Sequence, residues 1–441
     1  MNSFSELPLI EPLQKAVKEE GYTVPTPIQV QSIPHLLEGR DLLGCAQTGT
    51  GKTAAFVLPI LQKLWQNRKP VQRGTPRALI LAPTRELAAQ IGQSIRAYGK
   101  HLRITSTVIF GGVSQHHQVI ALGQGAEILV ATPGRLIDLV GQRYVNLGAV
   151  EILVLDEADR MLDMGFIHAI RKIIPKLPQN RQSIFLSATL EPAVVTLAKT
   201  LVHNPVHITV TPEEATVDRI EQCVYFVDRE RKDALLISLL SNPSIKRVIV
   251  FTQMKHVANR VETVLNHAGI RSDAIHGNKS QAARTKALES FRRGIVRVLV
   301  ATDIAARGID IDEITHIINY ELPHEAETYV HRIGRTARAS AEGDAISFCS
   351  APERDYLRAI ERFIHQQIRV VRDHEYHSDI AMNAVGENAR PPHKGGGWGR
   401  NRGQGGRPNH RGNSQSYGGH RRHGSSSHRS SYGQRSHQRR Q

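Results

Sequence analysis

Residues 41–53 read DLLGCAQTGTGKT: an apolar run, a glycine-rich turn, and a Lys-Thr pair that opens the next helical pattern. Strand, loop and helix in that order form the repeating unit of a parallel α/β sheet, and a glycine-rich turn between them is a phosphate-binding loop. Ala46 stands where the generic pattern has its first glycine, and Gln47, Thr48, Gly49, Thr50 and Gly51 complete the loop. Gly49 and Gly51 let backbone N–H groups turn towards phosphate oxygens, while Lys52 reaches the outer phosphates as a point charge. Thr53 offers a hydroxyl to Mg²⁺, and the helix points its positive end at the anion.

The same alternation continues on either side of this loop up to about residue 372. Apolar, β-branched runs predict strands at 41–46, 78–82, 107–110, 127–131, 151–156 and 183–188, then at 223–227, 247–252, 296–302, 315–320 and 344–349. Near-continuous apolar runs suit strands buried on both faces. The stretch HNPVHITVTPEEATVD (203–218) has no helical periodicity and carries two prolines, so it reads as a linker. The expected division is a first domain over 1–206, a linker over 207–217, a second domain over 218–372 and a tail over 373–441. Ser350-Ala351-Pro352-Glu353 has capping-box spacing with proline in the first turn, which predicts a helix from there to about Gln367.

Charge is unevenly spread. Of the formal net charge of +16, the segment from Gly386 to Gln441 holds +11, with eleven Arg and one Lys against Glu387. That segment is rich in Gly, Ser, Arg, His and Gln and has almost nothing to bury, so it is expected to be disordered. Arginine rather than lysine, with Trp398, Tyr417 and Tyr432 interspersed, favours polyanion binding over mere solubilisation. Cys45, Cys223 and Cys349 lack disulfide or zinc spacing. The N-terminus has no signal-like apolar region, and no stretch approaches the roughly 18 apolar residues of a membrane span, so a cytoplasmic protein is expected.

Two further stretches carry chemistry. EILVLDEAD (151–159) ends a strand in acids, at the sheet edge where open α/β folds bind ligands. Asp156 can hold Mg²⁺, and Glu157 can activate a water. The first half could thus belong to a kinase or a simple ATPase. YVHRIGRTAR (329–338) argues against both, because Arg335 and Arg338, three apart, can face one way from a helix as arginine fingers that complete the site from another domain.

With these motifs in place the chain resembles the DEAD-box RNA helicases, most similar to the bacterial RhlE type, over about residues 2–372. The resemblance also rests on Phe4 and GYTVPTPIQ (21–29), PTRELAAQ (83–90), Gly111-Gly112, TPGR (132–135), SAT (187–189), VIVFTQ (248–253), QAAR (281–284) and ATDIAARGID (301–310). DRMLDMGFI (159–167) and AIHGNKSQAAR (274–284) lean towards RhlE. The resemblance implies two tandem RecA-like α/β domains followed by a disordered basic tail, with ATP and Mg²⁺ as cofactors. Phe4, Tyr22 and Gln29 would hold the adenine and Asp303 the ribose. Pro83, Thr84, Arg85, Gly111, Gly112, Thr132, Gly134, Arg135, Gln281, Arg284 and Thr302 would lie along RNA. Ser187, Ala188, Thr189 and His331 would couple hydrolysis to RNA strain. RNA is the implied partner, with ribosome-assembly or RNA-decay proteins as further candidates. Ala337 stands where the family usually has glycine; alanine is the better helix former, so the arginine fingers are expected to be retained, with Arg338 displaced only if that position requires positive φ. An RNA-dependent ATPase that remodels RNA–protein complexes with little strand separation, a nucleotide-gated RNA clamp with little turnover and a DNA translocase are the alternatives.

Overall fold

The structure, a computed structural model, describes residues 3–46, 49–210, 220–306, 314–336 and 343–389. Two seven-stranded sheets are present, and every strand pair within them is parallel. The first holds β1 (Leu42–Ala46), β2 (Ala78–Leu81), β3 (Ser106–Ile109), β4 (Ile128–Ala131), β5 (Ile152–Leu155), β6 (Gln182–Ser187) and β7 (Val206–Val210) in the order β3-β4-β2-β5-β6-β1-β7. The second holds β8 (Ile220–Phe226), β9 (Val248–Thr252), β10 (Ser272–Ile275), β11 (Val298–Thr302), β12 (His316–Asn319), β13 (Gly343–Cys349) and β14 (Arg369–Val371) in the order β10-β11-β9-β12-β13-β8-β14. Adding seven to each strand of the first order gives the second, so the two lobes are topological copies.

The central strands β2, β4 and β5 are buried along their whole length, as their unbroken apolar runs require. Their side chains feed two cores, one on each face of the first sheet: Ile80, Val130 and Val154 on one, Leu79, Leu129 and Leu153 on the other. Truncating one of these, for example Ile80→Ala, is expected to cost about 2–5 kcal/mol. Helices shield both faces, so only the ends of the strands are open to ligands.

Three expectations are corrected. Residues 203–218 are not all linker: Val206–Val210 is an edge strand paired with β1, and its Ile208 is buried. Residues 211–219 lie outside the described set. The second lobe does not end at residue 372, because Ser378 donates its N–H to Phe226 O at 3.0 Å and its hydroxyl to Asp228 at 2.6 Å, and Ala381 and Ala389 are buried. The capping box at Ser350 and Glu353 is present, but the helix, Arg354–Phe363, stops short of Gln367, and His365 follows with φ +56°. The tail from residue 390 lies outside the described residues.

Candidate active site and nucleic-acid groove

Strand β1 ends at Ala46, which is extended and in register with Val210, so a Cβ is tolerated where the generic loop has glycine. Gly49 and Gly51 have φ of +90° and +88°, the left-handed region that glycine enters at little cost. A Cβ on Gly51 would also lie 2.5 Å from Gln29 Nε2. Lys52 opens the helix Lys52–Gln66, is buried, and donates to Ala46 O at 2.6 Å, so its ammonium folds back onto the loop. Gln29 is tied to the same loop: its Oε1 accepts from Thr26 N at 2.9 Å and its Nε2 donates to Gly51 O at 3.1 Å. Phe4 is buried and stacks on Tyr22 at 6.2 Å, and the Tyr22 hydroxyl meets that of Tyr98 at 3.2 Å. Thr50 and Thr53 are half-buried, and Gln47 and Thr48 lie outside the described residues.

The acids follow β5. Glu157 sits in the left-handed region at φ 55°, a conformation that costs a non-glycine residue energy and turns the next helix, Ala158–Asp163, out of the strand line. Burial drives the Asp156 carboxyl up to about 6, with Lys52 opposing and Glu157 reinforcing the shift. Burial also acts on Glu157, but Arg160, Lys52 and Arg335 outweigh it and hold that carboxyl below its ordinary value. The two neighbours are thus split, Asp156 above its ordinary value and Glu157 below. Arg160 pairs with Glu157 at 2.7 Å, an i,i+3 contact inside the motif that sequence reading passed over. Asp159 accepts from Ala188 N at 3.2 Å, which links the acids to the Ser187-Ala188-Thr189 segment.

Buried Asp156 Oδ1, Asp159 Oδ1 and Ser187 Oγ have no partner among the described residues. Oxygen donors of this kind fit Mg²⁺, which takes one or two carboxylates and fills its remaining positions with water and phosphate. Asp156 and Thr53 are the candidates to hold it. No cluster of three or more His, Cys, Asp or Glu ligands occurs among the described residues.

The second lobe brings arginine to these acids. Arg335 is 4% exposed, and its charge is among those lowering Glu157, nearly 180 residues earlier in the chain. It does not project from a helix, because the helix Ala326–Ile333 has already ended at Gly334. Arg338 and Ala337 lie outside the described residues. Arg332 has a role the sequence did not disclose: it is fully buried, grips Asp303 with two bonds of 2.6 and 2.8 Å, and donates to Asn319 and to Glu321 O. The Asp303 carboxylate, expected at the ribose, is thereby anchored and still partly exposed. Half-buried His331 lines the same small space between the lobes, with Arg160, Arg332 and Arg335.

A separate cavity of about 440 Å³ gathers the expected nucleic-acid contacts Pro83, Thr84, Arg85, Gly111, Thr132, Gly134 and Arg135 from the first lobe with Gly277 and Arg284 from the second. Thr84 and Thr132 are the N-caps of helices Arg85–Tyr98 and Pro133–Gly141, so two helix N-termini open into it. Gly112, at φ +73°, lies under Arg85: a Cβ there would meet the guanidinium at 2.0 Å. Arg135 donates to Val113 O at 3.0 Å, while Arg135 Nη1 and Arg284 Nε are buried without a partner among the described residues. Gln281 reaches Glu86 and Arg85 across the lobes, and Thr302 ends β11.

Comparison with known proteins agrees with this geometry. The DEAD/DEAH box helicase family matches residues 26–197, and the helicase conserved C-terminal domain matches 231–340. The chain is 41% identical over 362 residues to the DEAD-box ATP-dependent RNA helicase CshA of Bacillus cereus, covering 82% of this chain and 68% of that one. It is 42% identical over 371 residues to the ATP-dependent RNA helicase SrmB of Escherichia coli, covering 84% and 83%. Among solved structures, Saccharomyces cerevisiae Dbp5 bound to RNA and ADP BeF3 superposes with a TM-score of 0.75 at 33% identity, over 84% of this chain and 96% of that one. With both helicase domains matched and the two-lobed parallel-sheet fold shared, the chain belongs to the DEAD-box ATP-dependent RNA helicases.

Proposed function

We propose that this protein binds ATP on its first lobe, closes the second lobe onto it together with RNA, and uses the cycle of closure and hydrolysis to separate short RNA duplexes and remodel RNA–protein complexes. The observation that carries the reading is Arg335 of the second lobe lining one small space with Arg160, the 2.7 Å ion-pair partner of Glu157 in the first, because an arginine from another domain makes turnover depend on closure. Lys52 and the loop glycines bind and orient the phosphates. Mg²⁺, held by Thr53 and Asp156, would neutralise phosphate charge. Glu157, kept ionised by Arg160 and its other cationic neighbours, accepts the proton of the attacking water. Arg335, with Arg338 as the second expected finger, stabilises charge developing on the transferred phosphoryl group.

RNA would be held by backbone contacts in the 440 Å³ groove, where unpartnered guanidinium nitrogens and helix N-termini await phosphate oxygens. The likeness of DRMLDMGFI and AIHGNKSQAAR to the RhlE type, an association with ribosome-assembly or RNA-decay proteins, and a cytoplasmic location belong to the same reading. No helix among the described residues is long and apolar enough to cross a membrane. The basic tail would act as a tether; if about half its cations contact phosphate, deleting 386–441 flattens the salt dependence of RNA binding by a slope of about 4. The deciding experiment is multiple-turnover ATP hydrolysis with no nucleic acid, with RNA and with DNA of the same sequence. Strong stimulation by RNA alone supports the reading, whereas equal stimulation by DNA or none at all refutes it.

A further inference from the structure

One buried carboxylate holds the two halves of the groove together. Glu86 is the second residue of the helix Arg85–Tyr98, and its side chain is 5% exposed. Its Oε1 accepts from Gln281 Nε2 at 3.0 Å, and its Oε2 lies 2.9 Å from Arg284 Nη2. Arg85 Nη1 in turn donates to Gln281 Oε1 at 3.4 Å. Two residues of the first lobe and two of the second thus form a connected polar cluster, although almost 200 positions separate them in the chain.

The arrangement has a direction. An anion in the first turn of a helix is favoured by the helix dipole, so the carboxylate is stabilised by its own element while it reaches across the interface. Arg284 gives Nη2 to Glu86 and leaves Nε buried and unpartnered in the wall of the groove. A buried guanidinium nitrogen without an acceptor is costly, and a phosphate oxygen in the groove would relieve that cost. Removing the carboxylate would leave Arg284 buried and unpaired whenever the lobes close.

We propose that Glu86 is the positioning residue that turns lobe closure into grip on RNA: it fixes Gln281 and Arg284 against the first lobe so that their remaining donors face the phosphate path. This rests on the reading of the cavity as an RNA groove. In the open state Glu86 and Arg284 are apart, so Glu86 strengthens RNA binding only when nucleotide has closed the lobes.

The test measures the affinity of the full-length chain for a labelled single-stranded RNA by anisotropy, with and without a non-hydrolysable ATP analogue and Mg²⁺. The ratio of the two affinities is the coupling between the sites. Glu86→Gln, which keeps the shape and removes the charge, should lower that ratio about tenfold or more, the usual scale of coupling between two sites. Its RNA affinity without nucleotide should change far less, and in turnover the KM for RNA should rise more than kcat falls. Glu86→Asp, which restores the charge at shorter reach, should recover part of the ratio. Should Glu86→Ala melt early, the isosteric Gln variant carries the test. An unchanged ratio in Glu86→Gln overturns the proposal. So does tighter RNA binding in the presence of the analogue, because Glu86 would then compete with phosphate for Arg284. If the unmodified chain itself shows no coupling, the RNA-groove reading fails instead.

Discussion

The two lobes share one topology yet differ in what fills the same place. In the first, the helix after the initial strand begins with Lys52, and in the second the corresponding helix, Lys232–Leu240, begins with Lys232. Both lysines are buried, and both turn back towards the C-terminal edge of their sheet. Lys52 reaches Ala46 O on a glycine-bearing loop and shares its site with Asp156 and Glu157. Lys232 donates to Tyr320 O at 2.8 Å, just after β12, the counterpart of β5, and pairs with Glu353 at 2.5 Å. The Glu353 carboxylate also accepts from Leu322 N, Ser350 N and the Ser350 hydroxyl, as a bound phosphate would accept from lysine and backbone N–H groups. One lobe leaves its anion site for a substrate, whereas the other fills it with a side chain of its own. The connection before Lys232, Val227-Asp228-Arg229-Glu230-Arg231, has no glycine with which to build a phosphate loop. The second lobe instead carries Arg335, whose charge acts on Glu157 of the first.

The largest effect should separate the two lysines. Lys52→Ala is expected to lower kcat/KM for ATP by roughly a thousandfold or more, because the outer phosphates lose their charge partner. Lys232→Met combined with Glu353→Leu, which removes both members of the buried pair, should leave RNA-stimulated hydrolysis within severalfold of the unmodified protein. Equal losses in the two variants would show that the second site handles nucleotide as well.

The next contrast concerns the arginine that crosses between lobes. Arg335→Ala should lower kcat by about 10³ while leaving ATP affinity almost intact, since a finger acts on the transition state. Binding measured by a fluorescent nucleotide and turnover by phosphate release tell these apart. A parallel loss of affinity would place Arg335 in ground-state binding.

A smaller effect should appear as stability. Glu353→Ala leaves Lys232 buried without its anion and should destabilise the second lobe by about 3–5 kcal/mol, whereas the double variant Glu353→Leu with Lys232→Met should recover most of that. Calorimetry of the full chain reads this as a lowered transition and its return. Failure of the double variant to recover would mean that the carboxylate's bonds to Leu322 and Ser350, rather than charge pairing, hold the segment.

The smallest effect has the opposite sign. The Asp156 carboxyl is raised to about 6 by burial. A carboxyl whose folded value exceeds its unfolded one favours folding at low pH, and that contribution is lost as pH rises through about 6. At pH 7, without nucleotide or Mg²⁺, Asp156→Asn should therefore raise stability by about 1–2 kcal/mol, seen as a higher melting temperature, while abolishing hydrolysis. A lower melting temperature would show that the site stabilises the carboxylate more than burial penalises it.

Most of this architecture was legible in residues close together in the chain. Eleven of the fourteen strands among the described residues announced themselves as apolar runs, and the phosphate loop and the acids after β5 were located by local pattern alone. The short edge strands β7 and β14 were missed because strands that bury little on at least one face lack a continuous apolar signature, and the mostly buried edge strand β10 was missed because Ser272 and Asp273 interrupt its apolar run. Family likeness extended the site to Gln29, Arg85 and Arg135, but it did not disclose Glu86, Arg160 or Arg332.

What the sequence determined by itself, then, is the fold class, the phosphate loop, the acids after β5 and the list of groups able to bind phosphate, since each is written within a dozen residues by glycine placement, strand periodicity or charge. Tertiary structure alone decided that Arg335 shares a small space with Arg160, the partner of Glu157, that Glu86 binds Gln281 and Arg284, and that Glu353 occupies the site beside Lys232. These contacts join residues about 120 to 200 positions apart, and which of two equivalent anion sites stays open depends on a side chain arriving from another strand connection. Local propensity carries no information about such arrivals, because they exist only once the sheets have been assembled and the lobes have met.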